Sequence, residues 1–273
     1  MEPEQVVECC QHGFKQKHFW AAGVNDVWPQ DQHDKWGRFG LWLHAGLEAF
    51  SGEINWLKIW WVNRNLRLIT KYYIDTCRWI GGMSFHQTLE NLLMKCLWQV
   101  FPFITQSDPG TENYGVANAH TVIHHCLDPS LTGTLQHCFA PGNNSIHSEI
   151  KWSVFCHDFS PGFEDILEQG MQSGWYNVSD ALEKQVNSCL HIYTVTFFLP
   201  SLLFHWIAIP WLQSKIDDWV KFKNTTAPRA LKHKILPHGI PALICSHPSH
   251  FSSIDFKVHL ESPHLTEVSC TLC

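Results

Sequence analysis

Three carboxylates stand in contexts where a chain can put an acid to chemical use. The run Phe101-Pro-Phe-Ile-Thr-Gln-Ser-Asp108-Pro-Gly-Thr-Glu-Asn113 carries an apolar, β-prone stretch straight into a Pro-Gly turn, with Asp108 at the junction. A strand buried on both faces holds such an acid rigidly at its tip, where loops and active sites gather. An Asp before Pro-Gly is also an ordinary turn former, and the residues alone leave both readings open. Upstream, Asp26-Val-Trp-Pro-Gln-Asp31-Gln-His-Asp34 again sets acids after a hydrophobic lead-in. Downstream, Ser145-Ile-His-Ser-Glu149-Ile-Lys-Trp-Ser153 opens a helical pattern with a carboxylate in it.

The elements that must position these acids follow from periodicity. Phe39–Phe50 and Ile54–Val62 are rich in aromatic and β-branched residues and flank a Ser51-Gly52 turn, which predicts a hairpin beside the strand carrying Asp31. From Asn65 to Trp79 the apolar positions Leu66, Ile69, Tyr72, Tyr73 and Cys77 recur at helical spacing, and Gly81-Gly82 is the expected stop. A second helix is expected over Phe85–Val100, leading into the Asp108 strand. Further on, the pattern predicts a helix over Ala117–Cys126, a short strand over Leu135–Ala140, and a Pro-Gly-Asn-Asn loop at 141–144 feeding the Glu149 helix.

Taken together, these stretches resemble the integrase-core (retroviral-type, DDE) proteins of eukaryotic mobile elements. The resemblance runs from about Val24 to Lys257. It is carried in order by Asp26-Val-Trp with Asp31-Gln-His-Asp-Lys, Gln106-Ser-Asp-Pro-Gly-Thr-Glu-Asn113, Glu149-Ile-Lys-Trp-Ser153, Pro161-Gly-Phe-Glu164 with Gly174-Trp-Tyr176, Ile209-Pro-Trp-Leu-Gln213, and Leu236-Pro-His-Gly-Ile-Pro241. It implies an α/β fold, an RNase H-like mixed sheet flanked by helices, with Asp31, Asp108 and Glu149 as the acidic triad. The intervals of 76 and 40 residues between those acids suit the family. The implied activity is DNA strand cleavage and transfer with two Mg²⁺ (or Mn²⁺) ions. Two such ions stabilise attacking and leaving oxygens together in an in-line displacement at phosphorus, and Mg²⁺ accepts hard carboxylate oxygens.

By the same resemblance, Glu48, Glu112 and Asn113 are candidates for the shell around the triad; a hairpin residue exposed to water and a turn cap are the plain alternatives. His147 stands where relatives carry a phosphate-contacting lysine, and with Lys151 it is expected to face DNA. Lys221, Lys223, Arg229, Lys232 and Lys234 are the core of the best basic cluster and are read as a DNA-backbone patch, with a solvated helix-and-loop face as the alternative.

Composition bounds the rest. At 273 residues the chain can form one large domain or two small ones. Residues 1–23 read as a partly ordered N-terminal remnant, 24–180 as the catalytic core and 181–273 as a helical and irregular C-terminal extension. The net charge of −6 is the wrong sign for DNA, whose non-specific affinity comes from Lys and Arg neutralising phosphates. Catalysis therefore needs a local basic face. A catalytically inactive, domesticated relative that binds DNA or protein, and a nuclease of RNA–DNA hybrids, are the competing readings. Eleven scattered cysteines and a polar N-terminus without a secretory signal suggest reduced thiols and a nuclear protein, with the cytoplasm as alternative. His120 and His124 lie four apart on a helix and share a face, a weak zinc motif without a cysteine pair. The uncharged stretch Leu190–Leu212 is long enough to suggest a membrane helix, but Pro200, Pro210, His191 and His205 argue against one. Beyond DNA, a homo-oligomer is the partner compatible with the family.

Overall fold

The computed structural model describes residues 20–83, 98–140, 146–176, 194–229 and 235–261. Its strands are β1 (Val27–His33), β2 (Trp42–Leu47), β3 (Ile54–Trp60), β4 (Trp98–Phe101), β5 (Ile104–Ser107), β6 (His137–Phe139) and β7 (Val258–Glu261). Its α-helices are α1 (Leu66–Met83), α2 (Tyr114–Leu127), α3 (Ile146–Asp158), α4 (Ser160–Gln172), α5 (Thr194–Thr225) and α6 (Pro241–Ser246). Five strands form a mixed sheet in the order β3-β2-β1-β5-β6, and β4 pairs with β7 in a separate ladder. β1, β2 and β3 are antiparallel neighbours, whereas β1–β5 and β5–β6 are parallel. Parallel neighbours need a crossover, and the crossovers here carry α1 and α2. The chain is thus a mixed α/β fold with helices on both faces of its sheet.

The two faces have separate cores. On one, Leu43, Ala45, Leu47, Leu57 and Ile59 of the hairpin meet Trp152 and Phe155 of α3 and Ile209, Leu212 and Ile216 of α5. On the other, Trp28 and Trp56 meet Ile69, Tyr73 and Cys77 of α1 and Val116 and Ile123 of α2. The spacing of Ile69, Tyr73 and Cys77 is one residue per helical turn, so a single stripe of α1 is buried. The Asn65 side chain accepts from the Arg67 amide at 3.1 Å and caps the start of that helix. Along the outer strand, α5 contributes two carboxamides. Gln213 accepts from the Ile59 amide and donates to the Leu57 carbonyl, each at 3.0 Å. Asn224 accepts from the Ile54 amide at 2.9 Å and donates to the Ile54 carbonyl at 3.0 Å.

The hairpin turns on a buried acid. Glu48 accepts from the amides of Asn25, Phe50 and Ser51 and from the Ser51 hydroxyl, at 2.5–3.1 Å. Gly52 follows with φ 77°, a left-handed conformation in which a side chain is strained. Burial pushes the Glu48 carboxyl up to about 7, against the pull of those four donors.

Several expectations shift. The expected helix over Phe85–Val100 falls mostly outside the described residues, and its end, Trp98–Phe101, is strand β4, because β7 supplies a long-range partner that local propensity cannot foresee. That same pairing, with α6, gives order to part of a tail expected to be irregular. Gly81 and Gly82 lie inside the last turn of α1 rather than after it. No helix among the described residues is long and apolar enough to cross a membrane. Cys9, Cys10, Cys270 and Cys273 lie outside the described residues, while Cys77, Cys126, Cys138, Cys156 and Cys245 are free thiols.

Buried histidines give the fold a pH limit. Burial lowers His33 and His137 to about 4 and His44 to about 3, and it lowers His120 and His124 as well. The unfolded chain binds protons on these five below about pH 6.5 while the folded chain does not, so their stability contribution is present above 6.5 and lost as pH falls toward 4. The raised carboxyls of Asp31, Glu48 and Glu53 act oppositely, but they are fewer. Each tenfold difference in proton affinity between the folded and unfolded chain corresponds to about 1.4 kcal/mol. Denaturant unfolding followed from pH 7 to 4.5 is therefore expected to lose a few kcal/mol of stability. A flat profile over that window contradicts this account.

Candidate active site

Asp31 lies in the central strand, in register with Ala45 of β2. Alternation along β1 turns Asp31 and His33 to the same face, toward α3. There the His33 ring stacks on Trp152, with ring centres 4.7 Å apart and planes 15° from parallel. Trp152 is one helical turn beyond Glu149, so the stack that seats α3 also brings Glu149 to the Asp31 side. Asp108 comes immediately after β5, the parallel neighbour of β1. Asp108, at a strand tip, and Glu149, on a helix, thus come within electrostatic reach of Asp31 in the central strand.

The Asp31 carboxyl is held up at about 6. Burial is the main cause; the Gln32 amide, donating to Oδ1 at 2.9 Å, opposes it, and the nearby charges of Asp108 and Glu149 both add to it. The Trp152 indole also faces Asp31 and eases the charge, although its N–H closes no hydrogen bond. Asp108 is fixed from its own turn: Oδ1 accepts from Asn113 Nδ2 at 2.6 Å and from the Gly110 amide at 3.4 Å. The Glu149 side chain is exposed in the first turn of α3. Among the described residues, no three His, Cys, Asp or Glu groups already form a metal-coordination set. The donor chemistry nonetheless suits a hard cation, since all three groups are carboxyl oxygen donors and the charges of Asp108 and Glu149 disfavour the ionised form of Asp31.

The other expected residues separate by location. Asn113 is fully buried and touches Asp108, whereas Glu112 sits over Gly110 in the same turn. Glu48 spends its oxygens on the β2–β3 turn, and its hydrogen-bond partners are Asn25, Phe50 and Ser51 rather than the triad. Lys151 projects over that turn, with Nζ 3.7 Å from where a Gly52 side chain would start, and its charge eases the Glu53 carboxyl downward. His147 is half-buried, one turn ahead of Lys151 on α3. Lys223 is paired with Asp158 at 2.5 Å, Lys221 and Arg229 are exposed, and Lys232 and Lys234 lie outside the described residues. Of the weak zinc motif, His120 and His124 point their Nε2 atoms at the carbonyls of Phe103 and Pro102, at 3.4 and 3.3 Å. They serve the main chain.

Sequence reasoning missed His33 and Trp152. Two-residue alternation from Asp31 and three-residue spacing from Glu149 are the patterns that point to them. Compared with known proteins, the chain matches no family model and no curated protein.

Because burial and two like charges disfavour ionised Asp31, removing its charge should relieve the fold. Asp31→Asn keeps the shape and the oxygen that accepts from Gln32. At pH 7 its thermal unfolding is expected to indicate a gain of about 1–2 kcal/mol, in the range of other single stabilising changes. A lower melting temperature than wild type contradicts the electrostatic picture.

Proposed function

We propose that this chain is an integrase-type core of RNase H-like fold that cleaves and joins DNA strands, using Mg²⁺ or Mn²⁺ held by Asp31, Asp108 and Glu149. One observation carries the reading: Asp108 and Glu149, with 76 residues between Asp31 and Asp108 and 40 between Asp108 and Glu149, both lie within electrostatic reach of Asp31. The strand order β3-β2-β1-β5-β6, with β2 running against its neighbours and helices on both faces, supports it as the scaffold such a core requires.

When bound, two divalent ions supply charge to the attacking and leaving oxygens at phosphorus. The residues around them have separate tasks. Asp31, held half-buried in the central strand, is the rigid ligand, and a bound cation would offset the burial and the like charges that disfavour its ionised form. Asp108 is kept in one orientation by Asn113 and the Gly110 amide. Glu149, exposed on the first turn of α3, is the ligand with freedom to swing inward. His33, Trp152 and Phe155 pack against one another beside Asp31, on the α3 face of the sheet. His147, Lys151, Lys221 and Arg229 are the described candidates to meet the phosphate backbone, and a nuclear setting belongs to the same reading. The net charge of −6 favours the second reading, a relative that keeps the fold and binds DNA or protein without cutting.

Nicking of labelled duplex DNA at low salt, with Mg²⁺ or Mn²⁺, separates the two. Under the first reading the folded wild-type chain nicks DNA, and Asp108→Asn and Glu149→Gln each lose at least about 100-fold in rate, the scale on which single charge-stabilising groups act. A folded wild type that does not cut overturns the catalytic reading in favour of the second. Cutting confined to an RNA–DNA hybrid identifies a hybrid nuclease instead.

A further inference from the structure

Behind Asp108, on the opposite face of the sheet from α3, runs a line of buried polar groups that the acids themselves do not explain. Trp56 Nε1 donates to His44 Nδ1 at 3.0 Å, and the two rings lie parallel within 4°. Trp56 reaches this position because residue 46 is glycine: a Cβ there would come within 2.2 Å of the indole. His44 is fully buried, and burial keeps its ring neutral. A neutral imidazole that accepts at Nδ1 carries its proton at Nε2. His44 Nε2 and Asn113 Oδ1 are both buried without a hydrogen-bond partner among the described residues, and the two side chains are close enough to interact. The Asn113 amide, itself fully buried, then directs its Nδ2 to Asp108 Oδ1 at 2.6 Å.

An amide is nearly symmetric in shape and can present oxygen or nitrogen to a neighbour. Turned the wrong way, Asn113 would place its oxygen against the Asp108 carboxylate. His44 offers a donor on the far side, and only one orientation of the amide satisfies both neighbours. We propose that His44, with its tautomer set by Trp56, is a positioning residue for Asp108, fixing the orientation of Asn113 from behind. This rests on reading Asp108 as a metal-binding acid, but the orientation itself can be tested apart from that reading.

Three proteins are compared with wild type: His44→Phe, which keeps a ring but no donor; His44→Gln, which restores a donor; and Trp56→Phe, which leaves His44 but frees its proton to move to Nδ1. DNA nicking yields kcat and KM, calorimetric titration yields Mn²⁺ affinity, and the ¹⁵N-labelled side-chain amide of Asn113 reports its hydrogen bonding directly. His44→Phe is expected to lower kcat and Mn²⁺ affinity by about 10–100-fold, the usual effect of losing support behind a metal ligand, with KM for DNA unchanged. His44→Gln is expected to recover part of both, and Trp56→Phe to lose less than His44→Phe. Wild-type kcat and Mn²⁺ affinity in folded His44→Phe overturn the proposal. Should that variant fail to fold, Trp56→Phe decides by the same criterion. If wild type neither cuts DNA nor binds Mn²⁺, the functional reading fails and the Asn113 amide decides alone. A fixed amide pair in wild type and His44→Gln that is lost in His44→Phe upholds the positioning role, and an amide unchanged in all of them overturns it.

Discussion

A carboxylate half-buried in the central strand, within electrostatic reach of two exposed ones, is the constraint to which the rest of this structure answers. Asp108 and Glu149 repel the charge on Asp31, and burial deprives Asp31 of the water that would screen the repulsion. A loose loop carrying such acids would relax by moving them apart. Here the main chain that carries them cannot shift far, because one sits within the central strand, one ends its parallel neighbour, and one begins a helix clamped by aromatic packing.

Both faces of the sheet take part in that restraint. On the α3 side, the His33–Trp152 stack and the packing of Phe155 between Trp36 and Trp219 lock the helix that carries Glu149. On the α1 side, Trp28, Trp56 and Tyr73 meet edge to face, and the buried His44 ring lies parallel to that of Trp56. The aromatic richness of the chain, with 14 tryptophans, is thus concentrated in part around the acids. Large rigid side chains fill the interior and leave few alternative arrangements for the polar groups among them.

How much of this was legible in the sequence depended on the range of the interaction responsible. Local periodicity located α1 and the hairpin to within a few residues, because one stripe or one face is buried along each. The same local pattern placed Asp108 at a strand tip and Glu149 in a helix. It failed at Trp98–Phe101, where the partner strand lies about 160 residues later. It also misjudged Glu48: an acid between two strands reads as exposed or as belonging to the triad, whereas its partners are amides that only the folded turn brings together. His44 was invisible for a related reason, since its role depends on a glycine two residues on, a tryptophan across the hairpin and an asparagine 69 positions away.

The two carboxamides of α5 have a consequence for how this protein meets others. Gln213 and Asn224 are 11 residues apart, three turns and about 16 Å along a helix, and the Ile54 and Ile59 amides they receive are about 17 Å apart along a strand. The helix therefore occupies main-chain groups of β3 much as another strand would. A sheet edge with unoccupied amides and carbonyls invites pairing with extended peptides and, when chains are crowded, growth into fibrils. With these positions taken, strand addition along β3 is blocked, and association on this side has to proceed through side chains. The exposed Trp206, Ile207 and Trp211 on α5 make that contact a matter of shape and apolar fit rather than of backbone pairing.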